Sequence, residues 1–289
     1  MSEVQLNNAP AKQVMTVDVE DYFHVSAFEK NITRSDWENL DLRVERNTYR
    51  LLELFEQNQV KSTFFTLGWV AERCPQLIQA IVSQGHELAS HGYSHQRATL
   101  MTAEQFRQDV YKSKTILEDA SGQAIIGYRA PSFSINDSNT WVYESLIELG
   151  FEYSSSTYPI THDLYGVPKW PRFMYERSEK FEGKGIIEIP VPTTRKNGQN
   201  TGIGGGGYFR LYPYWLSKQR IDAYLKAEQQ PYSFYFHPWE IDPSQPKVKG
   251  AAIKSKLRHY LNLSRMEGKV VRLLKDYQWD TMKSVYLNK

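Results

Sequence analysis

Short β-branched or aromatic runs alternate with segments of helical period along most of the chain, and this alternation restricts the fold more than any other feature. VMTVDVEDYF, STFFTLGWVA, HELASHGYSH, AIIGYRAPSFS, GFEYSSS, GIIEIPV and YSFYFHPWEI read as strands. Between them, 42–57 carries a stripe of Leu51, Leu52, Leu54 and Phe55, and 75–84 carries Leu77, Ile78, Ile81 and Val82 before Gly85 stops it. The segment 102–121 opens on Thr102 as a cap, with Glu104 and Gln105 behind it, and ends before Gly122, while 139–149 is a further helix. Such alternation predicts an α/β fold of parallel β/α units, closed into a barrel or laid out as an open wound sheet. In either arrangement reactive side chains collect where the carboxyl ends of strands meet loops.

The pattern weakens after about Lys169, where Pro, Gly and aromatic residues interrupt it and 204–207 reads as a flexible glycine run. From 251 to 277 the chain is basic and amphipathic, with Leu257, Tyr260, Leu261, Met266, Val270 and Leu273 as the apolar positions of helices that pack on the main body. A chain of 289 residues suits one large domain with an appendage. A charged content of 24% and a net charge of +2, without a basic block, call for no nucleic-acid partner. Cys74 is the single cysteine and has no internal disulfide partner. The start MSEVQLNNAPAKQ lacks a basic stretch followed by an apolar run, and nowhere do eighteen apolar residues occur together, so no membrane span and a cytoplasmic location are expected. The 19 Tyr and 7 Trp suit a surface that stacks on sugar rings.

Four segments place ionisable groups at the end of an apolar run, a costly arrangement unless those groups are paired or bind something. In Asp18, Val19, Glu20 and Asp21 three carboxylates crowd together and repel unless a cation compensates. Strand alternation puts Asp18 and Glu20 on one face and Asp21 on the other. His91 and His95, four residues apart in HGYSH, can converge on one ion. His86, without a partner at that spacing, reads as structural. Arg129, between Tyr128 and Ala130-Pro131, offers a planar fork for a carboxylate. His237, in Phe236-His237-Pro238-Trp239-Glu240, has the pKa range to protonate a leaving amine.

In this order, DVED, SHGYSH, GYRAPSF and FHPWE resemble the motifs of the polysaccharide deacetylases of the NodB-homology type, carbohydrate esterase family 4. The resemblance runs from about Val14 to Asp242. Where that family commonly has two adjacent aspartates, this chain has an aspartate, a spacer and a second acid, which is similar to peptidoglycan-deacetylase-like and allantoinase-like members. GGGGYFRLYPYW and the basic helices after it resemble the C-terminal extension of deacetylases encoded with bacterial exopolysaccharide synthesis.

The resemblance implies a distorted (β/α)7 barrel over 14–245, with a Gly/aromatic insertion near 195–215, a polar leader over 1–13 and a C-terminal helical extension over 246–289. It implies Asp18 as base and Glu20 as acidic metal ligand, with Asp21 as the competing ligand, joined by His91 and His95. Zinc is the first choice of ion, and cobalt or nickel fits the same donors. Arg129 would orient Asp18 and His237 would act as acid. Tyr128, Pro131, Tyr208, Phe209, Arg210 and Trp239 would border a groove for an N-acetylated glycan. The reaction so implied is removal of N-acetyl groups from a glycan of exopolysaccharide or cell-envelope synthesis. Hydrolysis of a small cyclic amide and a non-catalytic carbohydrate-binding module are the competing readings.

Overall fold

The first strand, β1 (Gln13–Val19), is buried at every position, as a strand covered on both faces must be. The protein is described by a computed structural model that covers residues 12–162, 165–181 and 183–287. After β1, helix α1 (Val44–Gln57) buries Leu51, Leu52, Leu54 and Phe55, and β2 (Thr63–Thr66) follows. α2 (Gly68–Arg73) leads directly to α3 (Pro75–Ser83), where Pro75 occupies a first-turn position that needs no N–H donor. β3 (Glu87–Ser90) precedes α4 (Ala103–Ser121), which starts in a reciprocal cap between Thr102 and Gln105 and stops at Gly122, with φ of 68°. β4 (Gly127–Tyr128), α5 (Val142–Glu148) and β5 (Tyr153–Ser154) complete the regular alternation.

The later part adds the hairpin β6 (Tyr175–Phe181) and β7 (Lys184–Glu188), then the separate ribbon β8 (Thr193–Lys196) and β9 (Gln199–Gly202). α6 (Gly206–Leu211), α7 (Tyr214–Glu228) and β10 (Ser233–Phe236) follow, then α8 (Ile253–Tyr260), α9 (Leu263–Asp276) and β11 (Trp279–Asp280).

The main sheet has the order β10-β1-β2-β3-β4-β5-β7-β6. Its neighbours from β10 to β7 are parallel, and β6 pairs antiparallel with β7. The parallel strands β1, β2, β3, β4, β5, β7 and β10 are the seven expected of a (β/α)7 fold. Among the described residues no ladder joins β7 or β6 to β10, so the barrel stays open on that side. Side chains cross the opening instead: Tyr158 Oη donates to the Gly204 carbonyl at 3.3 Å and Tyr232 Oη to that of Ile203 at 3.0 Å.

Several local expectations need correction. The glycine run is packed over 204–206, not loose: a Cβ on Gly206 would lie 2.2 Å from Glu240 Oε1. β6, β8 and β9 carry no period that marks them in advance, because they are an edge strand and an isolated ribbon. The C-terminal extension supplies a strand as well as helices, since Trp279 and Asp280 of β11 pair with Gln13 and Val14. Within it Met266, Val270 and Leu273 are buried, but Leu257 and Leu261 are exposed. Of the polar leader, 1–11 lies outside the described residues.

Candidate active site

Each proposed site segment leaves the carboxyl end of a parallel strand. Asp18 sits within β1, and the N–H of Glu20 returns to the Asp18 carbonyl at 3.0 Å, a tight bend that keeps both acids at the same end of the sheet. His91 follows β3 directly. Gly92 then takes φ of 74° and His95 φ of 50°, left-handed values that fold the segment back on itself. Asp109 of α4 holds this loop by accepting from the backbone N–H of Tyr93 (2.8 Å) and Ser94 (3.2 Å) and from Ser94 Oγ (2.5 Å).

One ligand atom from each of Glu20, His91 and His95 lies within 4.8 Å of the other two. His91 Nδ1 is 2.8 Å from the Arg129 carbonyl, which can only accept, so that nitrogen carries the proton and Nε2 keeps its lone pair. Burial pushes the His91 imidazole down to about 4, so it is a neutral donor near pH 7. Glu20 Oε2 is buried, and its one close polar neighbour among the described residues is His95 Nε2 at 2.6 Å. Burial alone would raise the Glu20 carboxyl, but His95, His237 and His91 reverse this and hold it well below the usual range. A buried anionic oxygen beside two imidazole nitrogens is an arrangement that a divalent cation satisfies. The donor set therefore fits a metal ion.

Asp21 does not join this group. Its Oδ1 accepts from the Tyr22 N–H at 2.8 Å, and its Oδ2 accepts from the N–H of Arg43 (2.6 Å) and Val44 (2.7 Å). Both oxygens are thus taken by backbone N–H groups, Oδ2 at the start of α1, and burial raises the carboxyl to about 6.

Arg129 is almost wholly buried beneath the site. Nη1 donates to Asp18 Oδ1 at 2.7 Å and to Thr16 Oγ1 at 2.9 Å, while Nε and Nη2 hold the Ser155 carbonyl and hydroxyl at 3.0 Å each. Its guanidinium lies 4.0 Å from the Phe65 ring centroid. Across the site, His237 Nε2 is 3.5 Å from Glu20 Oε1 and 4.0 Å from Asp18 Oδ2. On its other edge Nδ1 meets Glu240 Oε1 at 2.8 Å. Burial by itself lowers the His237 pKa, but Glu20, Glu240 and Asp18 together carry it up to about 9.

A cavity of about 270 Å³ opens over these groups, walled by Phe133, Tyr165, Trp239, Arg210 and Arg258 among others. Trp239 borders it and directs Nε1 at Glu20 Oε1, 3.4 Å away. Arg210 borders it too, but its guanidinium is engaged by Glu240 and by the carbonyls of Arg258, His259 and Leu261. The remaining groove candidates lie elsewhere. Tyr128 is packed behind the site against Phe106 and Phe151, Phe209 lies in the core against Phe234, Tyr208 is surface-exposed, and Pro131 is buried between wall residues.

Three residues acquire a place in the site that their sequence position did not announce. Glu240 could have been suspected from its spacing to His237, which is that of a capping pair. Asp109 gave no signal, since it sits in the middle of a helix. His24 is buried against Trp37 and Trp69, stacks 6.4 Å from His95, and accepts the Asp21 N–H on Nδ1.

An open α/β barrel of seven parallel strands with an acid–His–His cluster at its strand ends defines a class of barrel proteins whose site donors fit a metal ion. Residues 36–153 match the family model for polysaccharide deacetylase. Residues 155–287 match a domain of unknown function, DUF3473. The sheet runs across the boundary between the two matches, since β7 and β10 belong to the second. A peptidoglycan deacetylase of Helicobacter pylori is 36% identical over 107 residues, which are 37% of this chain and 36% of that protein. The chain spans about a third of the length of the curated relatives it matches first. Among solved structures, a provisionally named polysaccharide deacetylase from Mycobacterium smegmatis superposes with a TM-score of 0.60 at 18% identity, covering 99% of this chain and 92% of that one. The Puue allantoinase superposes with a TM-score of 0.56 at 18% identity, covering 92% and 84%. At these identities the structural likeness establishes the fold alone. Among the described residues no helix is long and apolar enough to cross a membrane.

Proposed function

We propose that the protein hydrolyses N-acetyl groups on a glycan, and that this glycan belongs to bacterial exopolysaccharide or cell-envelope synthesis. One observation carries the reading: a buried Glu20 carboxylate grouped with the His91 and His95 nitrogens, all within 4.8 Å of one another, beside Asp18 and His237. Glu20, His91 and His95 would hold a divalent ion, zinc first and cobalt or nickel on the same donors, which would polarise the acetyl carbonyl and acidify a water.

The chain's own groups account for the proton movements. An amide yields only when a nucleophile is activated at carbon and the nitrogen is protonated as it leaves. Asp18, anchored through Oδ1 by Arg129, takes a proton from the attacking water. His237, raised to about 9 and so protonated near pH 7, gives its Nε2 proton to the amide nitrogen as the C–N bond breaks. The water oxygen leaves in acetate and the sugar leaves as an amine. Trp239 and Phe133 supply apolar wall for the acetyl group and ring.

The test is metal content together with acetate release from N-acetylated oligosaccharides. His91→Ala loses both. His237→Ala keeps the metal and loses turnover by about 10²–10⁴-fold, the usual worth of a general acid. Full acetate release by His91→Ala overturns the reading. Ring opening of a ureide without acetate release would assign a small cyclic amide as substrate, and glycan affinity without any hydrolysis would assign a binding module.

A further inference from the structure

The segment from 243 to 266 supplies Ser255, Arg258 and His259 to the wall of the cavity. It contains Lys247, Lys249, Lys254, Lys256, Arg258 and Arg265 and no Asp or Glu. None of these six cations enters an ion pair among the described residues, and no acidic residue lies within the segment to offer one. The same segment exposes apolar side chains. Ile253 is 77% exposed, Leu257 63% and Leu261, just past the helix, 38%. Their spacing of four residues sets them in one ridge along α8. Arg210 ties α6 to the end of α8 through the carbonyls of His259 (2.7 Å) and Leu261 (2.9 Å), and α6 exposes Leu211 and Tyr208.

We propose that α8 and its flanks form a membrane-docking surface that rests on anionic lipid, with Ile253, Leu257 and Leu261 entering the headgroup–acyl boundary and the surrounding lysines on lipid phosphates. An exposed aliphatic ridge inside a field of unpaired cations is the composition of a helix that lies in the plane of a membrane interface. The charge argues against a second copy of this chain, because a symmetric contact sets each patch against itself and would bring the six cations of one copy against those of the other. The aliphatic ridge argues against a soluble polyanionic glycan, which would pair with the lysines and leave branched side chains in water. Since α8 also walls the cavity, docking would hold the site against the lipid surface and select glycan that is attached to or emerging from it. The inference stands on the surface alone and does not depend on the reaction catalysed.

The experiment is co-sedimentation of the full chain with vesicles of equal parts phosphatidylglycerol and phosphatidylcholine, and with phosphatidylcholine alone, at low and high salt. Binding is expected to the anionic vesicles and to weaken as salt rises. Ile253→Ser with Leu257→Ser should lower it about tenfold or more. Lys249→Glu with Lys254→Glu should lower it at least tenfold, at roughly 1 kcal/mol per lysine, and flatten the salt dependence. Melting curves of both variants should overlay the parent, and acetate release from a soluble oligosaccharide should be unchanged. Failure of the parent to sediment with anionic vesicles overturns the proposal, as does equal sedimentation of the Ile253/Leu257 variant. Loss of a dimer in that variant by light scattering would give the ridge to a second copy. Equal dependence on Leu257 in binding to soluble dextran sulfate would give it to a polyanion. A chain that sediments but releases no acetate would refute the proposed reaction and leave the docking result intact.

Discussion

Glu240 Oε1 lies 2.8 Å from His237 Nδ1, and through Oε2 the same carboxylate accepts from Arg210 Nε at 2.6 Å. Glu240 and Arg210 are both buried, so the pair sits in a low-dielectric wall where its effect on the imidazole is little screened. Because Nδ1 is engaged by a carboxylate, the ring presents Nε2 towards Asp18 and Glu20. Glu240 is therefore a positioning residue for His237, and Gly206 is its counterpart in the backbone, since any side chain there would meet the carboxylate.

Removing that charge should move the pH profile. His237 is raised to about 9, and a raised histidine is active as an acid below that value and loses its proton as pH rises through it. Glu240→Gln keeps the size of the side chain but removes one of the charges that raise the pKa, so the alkaline limb of kcat/KM should shift to lower pH. Its value at the optimum should drop about 10–100-fold. A pH series on parent and variant checks this. An unmoved limb would show that Glu240 only fills space.

Asp242 offers a stability test away from the acid–His–His cluster. Arg43 grips it with Nε at 2.7 Å and Nη2 at 3.0 Å, and Arg46 adds a third contact at 3.0 Å. Burial opposes ionisation, but hydrogen bonds from Arg43, Ser244, Arg46 and Asn47 hold the carboxyl well below its usual range. A depressed carboxyl stabilises the fold fully above the unfolded value of about 3.9, and that contribution is lost as pH falls towards the folded value. Asp242→Asn should cost about 3 kcal/mol by urea unfolding at neutral pH, since it removes the buried carboxylate of the pair and leaves Arg43 only the exposed Asp41 as a charged partner. The gap between variant and parent should narrow as the medium is acidified below pH 4. A gap independent of pH would exclude the charge as its source.

Gly92 separates the two imidazoles and cannot accept a side chain. Its φ is 74°, and a Cβ would lie 2.9 Å from Asp109 Oδ2, which accepts the Tyr93 N–H and is one of the two oxygens that hold the loop. Gly92→Ala should destabilise by about 1–3 kcal/mol and weaken zinc binding, measured by titration of the metal-stripped protein. Gly122→Ala is the control. Its φ is 68° with nothing within 4 Å of the new atom, so it should cost stability alone. Equal zinc affinity in the parent and Gly92→Ala would separate the loop from the ion.

Local period located α1, α3 and α4 to within a residue or two, because helical stripes and caps depend on neighbours a few positions away. It was less informative for β4 and β5, two-residue strands whose ladders are cut short by the turns that follow them. It gave no hint of Asp109, nor that Arg210, first read as a groove residue, is a clamp on Glu240 and on the carbonyls after α8.

What the chain's residues determined alone was the parallel β/α plan and the presence of acids and histidines at strand ends, since both follow from backbone geometry and short-range pattern. Tertiary structure decided which acid stands where. Asp21 is silenced by N–H groups of residues 22, 43 and 44, and Glu20 is left facing the imidazoles of His91, His95 and His237. It also decided that Leu257 and Leu261 face outward while Met266, Val270 and Leu273 face in. Pairing, protonation and exposure are set by neighbours far along the chain, and those become neighbours only when the sheet has formed.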